Sequence, residues 1–159
     1  EIYTYAIVGS QMCIRDSHLV EIIRKLKRPY VRYTRADEKN VRKADCLIID
    51  CFGLLSSIYR YGEIAYIGGG FGVGIHNTLE AAVYGIPVIF GPKYQKFQEA
   101  VQLLEAKGGF SVKSYEELKA LLDRMLEDES FLRETGTNAG TYVTGNAGAT
   151  DKVLGMINF

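Results

Sequence analysis

Tryptophan is absent from this sequence, and 159 residues hold only three prolines, three cysteines and two histidines. Cys13, Cys46 and Cys51 are an odd, sparse set without metal-ligand spacing. That argues against a disulfide framework and for reduced thiols in a cytosolic protein. With only His18 and His76, a multi-histidine metal site is not expected. Neither charge is in excess: 19 basic residues meet 19 acidic ones, for a net charge of zero. Nucleic-acid binders usually carry a basic surplus, so no nucleic-acid partner is expected, although the stretch from Arg24 to Arg35 is locally basic. No apolar run approaches the roughly 18 residues of a membrane-spanning helix. The chain opens at Glu1 without the Met, basic region and apolar region of a signal peptide. Repeats, low-complexity tracts and linkers are also missing.

What is present fits an ordinary soluble domain, 47% apolar and 24% charged. The length suits one domain, or one lobe of a two-lobed enzyme. Short β-rich runs alternate with helical patterns. Strands are expected at Ile2 to Val8, Tyr30 to Tyr33, Asp45 to Asp50, Glu63 to Gly68, Pro87 to Phe90 and Phe110 to Val112. The run DCLIID is continuous and apolar, the mark of a strand buried on both faces.

Helices are expected at His18 to Lys27, Leu54 to Tyr61, Asn77 to Tyr84, Phe97 to Lys107, Ser114 to Leu126 and Ser130 to Thr135, with a helical tail after Asn146. Gly108 and Gly109 are expected to close the fourth of these in a left-handed C-cap. Ser114 and Glu117 read as a capping box. The alternation predicts an α/β fold with a doubly wound parallel sheet, in a single domain over residues 1–159. Gln11 to Ser17 (QMCIRDS) fits neither the strand before it nor the helix after it. It reads as translated adapter sequence and is set aside.

The informative stretch is IGGGFGVGIHNTLEAA, Ile67 to Ala82. A strand ends in Gly68, Gly69 and Gly70, followed by Gly72 and Gly74, and a helix opens near Asn77. Ligands of open α/β sheets sit at the carboxyl ends of strands. Glycines let backbone approach a ligand, and helix N–H groups attract anions, phosphate above all. A plain capping box, Asn77 with Glu80, is the structural alternative. A plain turn needs one or two glycines, and this one has five, which favours a ligand.

The glycine spacing does not make G-x-G-x-x-G, and no G-x-x-x-x-G-K-[ST] exists, so neither a dinucleotide fingerprint nor a P-loop is present. His76 beside the turn is a structural partner or a contact for a donor phosphate or sugar. Two further loops follow strands: Asp50-Cys51-Phe52-Gly53-Leu54, and Gly91 to Phe97. In the second, Lys93, Tyr94, Gln95 and Lys96 are candidates for contacting an acidic sugar. No carboxylate pair can be assigned as acid and base.

IGGGFGVGIHNTLEAA followed by GIPVIFGPKYQKFQEA resembles the C-terminal lobe of 3-deoxy-D-manno-octulosonic acid (Kdo) transferases, two-lobed GT-B glycosyltransferases of lipopolysaccharide synthesis. SSIYRYGEIAYIGGGFG is similar to the Bacteroidetes-type variant, and the resemblance runs over Tyr30 to Phe159. It implies a lobe that binds the donor CMP-Kdo. Inverting, metal-free transfer to a lipid A precursor is implied for the whole enzyme at the cytoplasmic face of the inner membrane. The catalytic base, the acceptor site and membrane association belong to the other lobe, expected to be absent here; the fragment itself is expected to be soluble and inactive.

By motif matching, Asn77, Thr78, Leu79 and Glu80 hold the nucleotide, with Glu80 on the ribose. Phe52, Gly53 and Leu54 fall where the family has another nucleotide-contacting turn. Gly69, Gly70, Gly72 and Gly74 lie under phosphate and sugar. Leu54 stands where the family has Glu, Cys51 where it has Thr, and Ala81 where it has Pro. The family's Pro-Arg or Pro-His pair would fall near Gly9 and Ser10. The open alternatives are a UDP-sugar transferase lobe, a non-catalytic sugar-nucleotide-binding domain and, disfavoured by the missing fingerprint, an NAD-dependent oxidoreductase.

Overall fold

The computed structural model describes residues 5–8, 23–148 and 155, the first four by their backbone. Expectations for residues 2–4, for Gly9, Ser10 and the segment 11–17, for His18 and the start of its helix, and for most of the tail lie outside the described residues. Two compact units divide the chain, Glu1–Ile58 and Tyr59–Phe159. Each holds a three-stranded parallel sheet, so the expected strand–helix alternation is distributed over two sheets.

In the first unit, β1 (Tyr5–Val8), β2 (Tyr30–Arg32) and β3 (Cys46–Ile49) are ordered β1-β3-β2. Tyr5 and Tyr30 both face Cys46 across the ladder. Residues 23–25 are helical, and Ile23 and Leu26 pack on buried Cys46 and Ile48. Between β2 and β3 the sequence reading missed a short helix, α1 (Glu38–Val41). Its cap is complete: Asp37 Oδ1 accepts from the N–H groups of Lys39 (2.8 Å) and Asn40 (2.9 Å), and Asn40 Oδ1 accepts from Asp37 N–H (2.8 Å). Asn at the third position does here what Glu does in the usual box. A second short helix, α2 (Leu55–Ile58), follows the β3 loop.

Asp50, just past β3, anchors this unit. Its side chain is 1% exposed and accepts from Arg32 Nε (2.7 Å), Thr34 N–H (3.0 Å) and Thr34 Oγ1 (2.7 Å). Burial alone would raise its pKa, but the Thr34 hydrogen bonds and the Arg32 charge outweigh burial and hold the carboxyl below its ordinary value. A depressed folded-state pKa gives stability that is present above about pH 4 and lost as pH falls through the folded value. Asp50→Ala leaves a donor of Arg32 and two of Thr34 without their acceptor. We expect it to cost about 1–3 kcal/mol in urea unfolding at pH 7, a gap that narrows as pH drops below about 4.

In the second unit, β4 (Ala65–Ile67), β5 (Val88–Phe90) and β6 (Gly109–Ser111) pair in that order. All of β5 is buried. Val88 and Phe90 join one core cluster with Ile67, Ile75 and Leu103, whereas Ile89 joins another with Val112 and Met125. The central strand is thus covered on both faces, as its unbroken apolar run requires. Helices α3 (Leu79–Ala82), α4 (Gln98–Glu105), α5 (Tyr115–Glu127) and α6 (Glu129–Gly145) complete the unit. Ser114 caps α5 by accepting from Glu117 N–H at 3.2 Å. The Glu117 carboxylate reaches one residue further back than expected, to Lys113 N–H at 2.7 Å.

Three expectations are corrected. The α4 C-cap is closed by Lys107, whose φ is 59°, not by a glycine. Lys107 N–H donates to Leu104 O and Gly108 N–H to Leu103 O, both at 3.0 Å, which is the Schellman pattern shifted one residue earlier than read. Gly108 is glycine for another reason: a Cβ there would lie 2.5 Å from Ala139 N. Left-handed backbone costs an L-residue about 1 kcal/mol, so Lys107→Gly should gain part of that in chemical denaturation.

The helix read at Ser130 to Thr135 runs to Gly145, through Gly136 and Gly140. These glycines weaken local propensity but let α6 lie on Gly85: a Cβ on Gly136 would sit 2.3 Å from Gly85 O. The tail, expected to be helical after Asn146, is not helical at residues 147–148, where Gly148 takes a φ of 93°. Gly155 is helical.

Candidate functional site

The carboxyl ends of β4, β5 and β6 deliver three chain segments to one edge of the second sheet. The glycine turn follows β4, and the Gly91 to Phe97 loop follows β5. The two loops touch through their backbones, with Lys93 N–H donating to Gly70 O at 3.0 Å. A Cβ on Gly70 would come within 2.6 Å of Gly91 N, so only glycine permits the approach. Gly69 (φ 90°) accepts at its carbonyl from Gly72 N–H (2.8 Å) and Gly74 N–H (3.3 Å). Gly74 (φ 148°) lies against Phe97, whose ring would meet a Cβ at 2.9 Å.

Three glycines are therefore required by the fold, one or two more than a plain turn was expected to need. Gly68 and Gly72 are different. Nothing within 3.9 Å opposes a Cβ on Gly68, and the nearest atom to one on Gly72 is Gly69 O at 3.5 Å. The fold would admit a Cβ at those two. The tip of the turn also carries exposed Phe71 and fully exposed Val73, an apolar pair that composition did not single out.

Past the turn, His76 N–H donates to Gly68 O at 3.2 Å, and the imidazole is exposed. Asn77 was read as the N-cap of the next helix; the N-cap is Thr78, already at helical φ and ψ (−84°, −26°). Asn77 instead accepts from Leu79 N–H at 3.0 Å and donates Nδ2 to Glu80 Oε1 at 3.1 Å. The helix also stops sooner than expected, at Ala82, because Gly85 turns away at φ 70° beneath α6. Thr78 is fully buried, and its Oγ1 has no hydrogen-bond partner among the described residues.

Tyr59 was missed by the sequence reading, since no spacing ties it to Glu80. Burial first, and then the negative charge of Glu80, push its hydroxyl above the ordinary tyrosine value, so it keeps its proton at neutral pH. On the second loop, Gln95 donates one Nε2–H to Pro92 O at 2.9 Å, which helps to lock the turn. Tyr94 is half-buried, its ring 5.4 Å from that of Phe90. Lys93 and Lys96 are exposed. Among the described residues, neither makes an ion pair, and neither does His76.

Phe52, Gly53 and Leu54 belong to the other unit, where they follow β3. Gly53 needs to be glycine for its φ of 85°, Phe52 is exposed and Leu54 half-buried. Leu54 O accepts from Ser57 N–H and Ile58 N–H, opening α2. Cys51, half-buried, forms no disulfide.

No family model matches the chain. Curated proteins do. A transferase of Aquifex aeolicus is 42% identical over 86 residues, 53% of this chain and 24% of its own length. One of Rickettsia bellii is 33% identical over 116 residues, 71% of this chain and 28% of its own length. Both are named 3-deoxy-D-manno-octulosonic acid transferase. The chain is homologous to part of the Kdo transferases. The matched stretch spans about a quarter of these relatives.

Two solved structures share the fold. The C-terminal CMP-Kdo-binding domain of WaaA from Acinetobacter baumannii superposes with a TM-score of 0.68 at 19% identity, covering 80% of this chain and 67% of that one. The C-terminal domain of the glycosyl transferase LpcC from Francisella tularensis gives 0.59 at 17%, covering 92% and 70%. The α/β class with parallel sheets, expected from the strand–helix alternation, is the fold shared with these two C-terminal domains.

Proposed function

We propose that this chain is the donor-binding lobe of a Kdo transferase and holds CMP-Kdo at the carboxyl edge of β4-β5-β6. The observation that carries the reading is the open part of the glycine turn. Gly68 and Gly72 are glycines that packing does not require, beside exposed His76, Lys93 and Lys96, which make no ion pair among the described residues. A donor with a phosphodiester and a sugar carboxylate brings two negative charges to that edge. Glu80 has one oxygen on Asn77, and its carboxylate is the acceptor assigned to ribose hydroxyls. The buried Thr78 hydroxyl lies in the same segment.

In the proposed reaction a lipid A precursor hydroxyl attacks the anomeric carbon of Kdo from the face opposite CMP. The C–O bond to the phosphate breaks, CMP leaves with its electron pair, and the hydroxyl proton passes to a carboxylate base outside this lobe. The lobe's share is to position the donor and stabilise the phosphate charge, without a metal. The acceptor and the inner-membrane setting belong to the same proposal. No described helix is long and apolar enough to cross a membrane.

Thermal unfolding with CMP, UDP or NAD tests this. Ligand at about 100 times its dissociation constant stabilises by about 2.7 kcal/mol, and each kcal/mol moves the midpoint by about 2–4 °C in a chain this long. A shift with CMP alone, removed by Glu80→Ala, is the expected result. A shift with UDP alone would replace Kdo transfer by a UDP-sugar transferase lobe. No shift from a folded sample would remove the donor-binding reading.

A further inference from the structure

Tyr59 opens a short 3-10 helix, Tyr59–Tyr61, that packs on α3. Side chains fix the contact at both ends. At one end Tyr59 and Leu79, the neighbour of Glu80, pack against the same core cluster. At the other the Arg60 guanidinium lies 5.9 Å from the centre of the Tyr84 ring, just past α3. Gly62 N–H donates to Tyr59 O at 3.0 Å and closes the turn. The Tyr59 ring is thereby held beside the helix that carries Glu80. Its hydroxyl makes no hydrogen bond among the described residues, although a buried or half-buried phenol usually finds a partner.

We propose that Tyr59 and Glu80 receive one ribose hydroxyl of the donor between them, Tyr59 as hydrogen-bond donor and Glu80 as acceptor. This pairing rests on the donor-binding reading of the site and adds to it a residue that reads the sugar of the nucleotide. Burial, and then the Glu80 charge, keep the phenol protonated at neutral pH, so it has a proton to give. The two groups feel one another's charge without bonding each other, and Glu80 Oε1 already accepts from Asn77 Nδ2 at 3.1 Å. A hydroxyl is donor and acceptor at once, which matches a protonated phenol beside a carboxylate. A phosphate or a sugar carboxylate would meet Glu80 as a like charge. A hydrogen in place of the hydroxyl would leave both side chains unpaired, which is how a polar site rejects an analogue lacking the group it binds.

Calorimetric titration of the full chain with CMP, 2′-deoxy-CMP and 3′-deoxy-CMP decides it. The parent should bind one of the two deoxynucleotides more weakly than CMP, by at least about tenfold. Tyr59→Phe removes an oxygen that bonds nothing in the fold, so the unfolding midpoint should stay where it is. The variant should bind CMP on the order of tenfold more weakly and that deoxynucleotide as the parent does, so the ratio between them narrows by the same factor. Tyr61→Phe, on the same turn but 80% exposed, should change neither affinity. Discrimination that Tyr59→Phe leaves intact, or equal weakening of CMP and both deoxynucleotides, would assign Tyr59 to the core alone and overturn the proposal while the donor-binding reading stands. A parent that binds all three nucleotides alike would do the same. A folded parent that binds none of them removes the donor-binding reading and this pairing with it.

Discussion

Gly70→Ala will destabilise the second unit by about 3 kcal/mol and abolish any nucleotide-induced stabilisation, whereas Gly72→Ala, two residues away, will leave the unfolding midpoint unchanged. The difference is not one of propensity. A Cβ on Gly70 meets three backbone atoms of Gly91 at 2.6–2.9 Å, and a backbone cannot rotate aside as a side chain can. Overpacking of this kind costs about 1–3 kcal/mol, and the upper end applies when the obstacle is main chain. The same collision would push the Lys93 loop off the turn, breaking the Lys93 N–H to Gly70 O bond. A Cβ on Gly72 meets only Gly69 O, at 3.5 Å, an ordinary contact. If the open turn receives the phosphate and sugar, Gly72→Ala will weaken the CMP-Kdo response without changing the fold. Thermal unfolding of both variants, with and without CMP-Kdo, separates the two effects. An unchanged midpoint for Gly70→Ala would show that the loops are not held by this contact.

Gly136→Ala should cost about 3 kcal/mol, against the usual sign for a glycine in the middle of a helix. In an exposed helix, exchanging Gly for Ala gains about 1 kcal/mol. Here the added methyl would lie 2.3 Å from Gly85 O and 3.5 Å from Ile86 Cα. Helix α6 would have to lift off the end of α3, and with it the contact that brings Ala139 against Gly108. The packing of α6 on the loops that lead into β5 and β6 would loosen. Gly145, the last residue of α6, has nothing near a Cβ, so Gly145→Ala is the matched control and should gain up to about 1 kcal/mol. Urea unfolding of the pair reads the difference directly; equal behaviour would show that α6 does not depend on this close approach.

Much of the organisation was legible beforehand. The apolar runs at Cys46 to Ile49 and Val88 to Phe90 are strands; of the apolar stripe that helical spacing predicts on α5, Leu118, Leu121, Leu122 and Met125 pack in the core, whereas Leu126 is exposed. The position of the glycine turn after β4 followed from the same reading. These signals are local: hydrophobic period, caps and breakers act among residues a few places apart. The main strand–helix order, the parallel α/β class and the place of the glycine turn were therefore determined by the sequence itself.

Tertiary contact decided what each residue is for. Gly70 answers to Gly91, Gly74 to Phe97, Gly108 to Ala139 and Gly136 to Gly85, all pairs far apart in sequence. From composition they were simply glycines; two groups of them suggested a ligand turn and a C-cap, and the helix read at Ser130 to Thr135 stopped short of Gly136. Lys107 could take the left-handed C-cap because Gly108 was needed for packing one residue later. Asp50 became an anchor only when β2 ran beside β3 and brought Arg32 and Thr34 to it. Close approach of backbones is a property of pairs that the chain must fold to create, and one-dimensional periodicity cannot carry it.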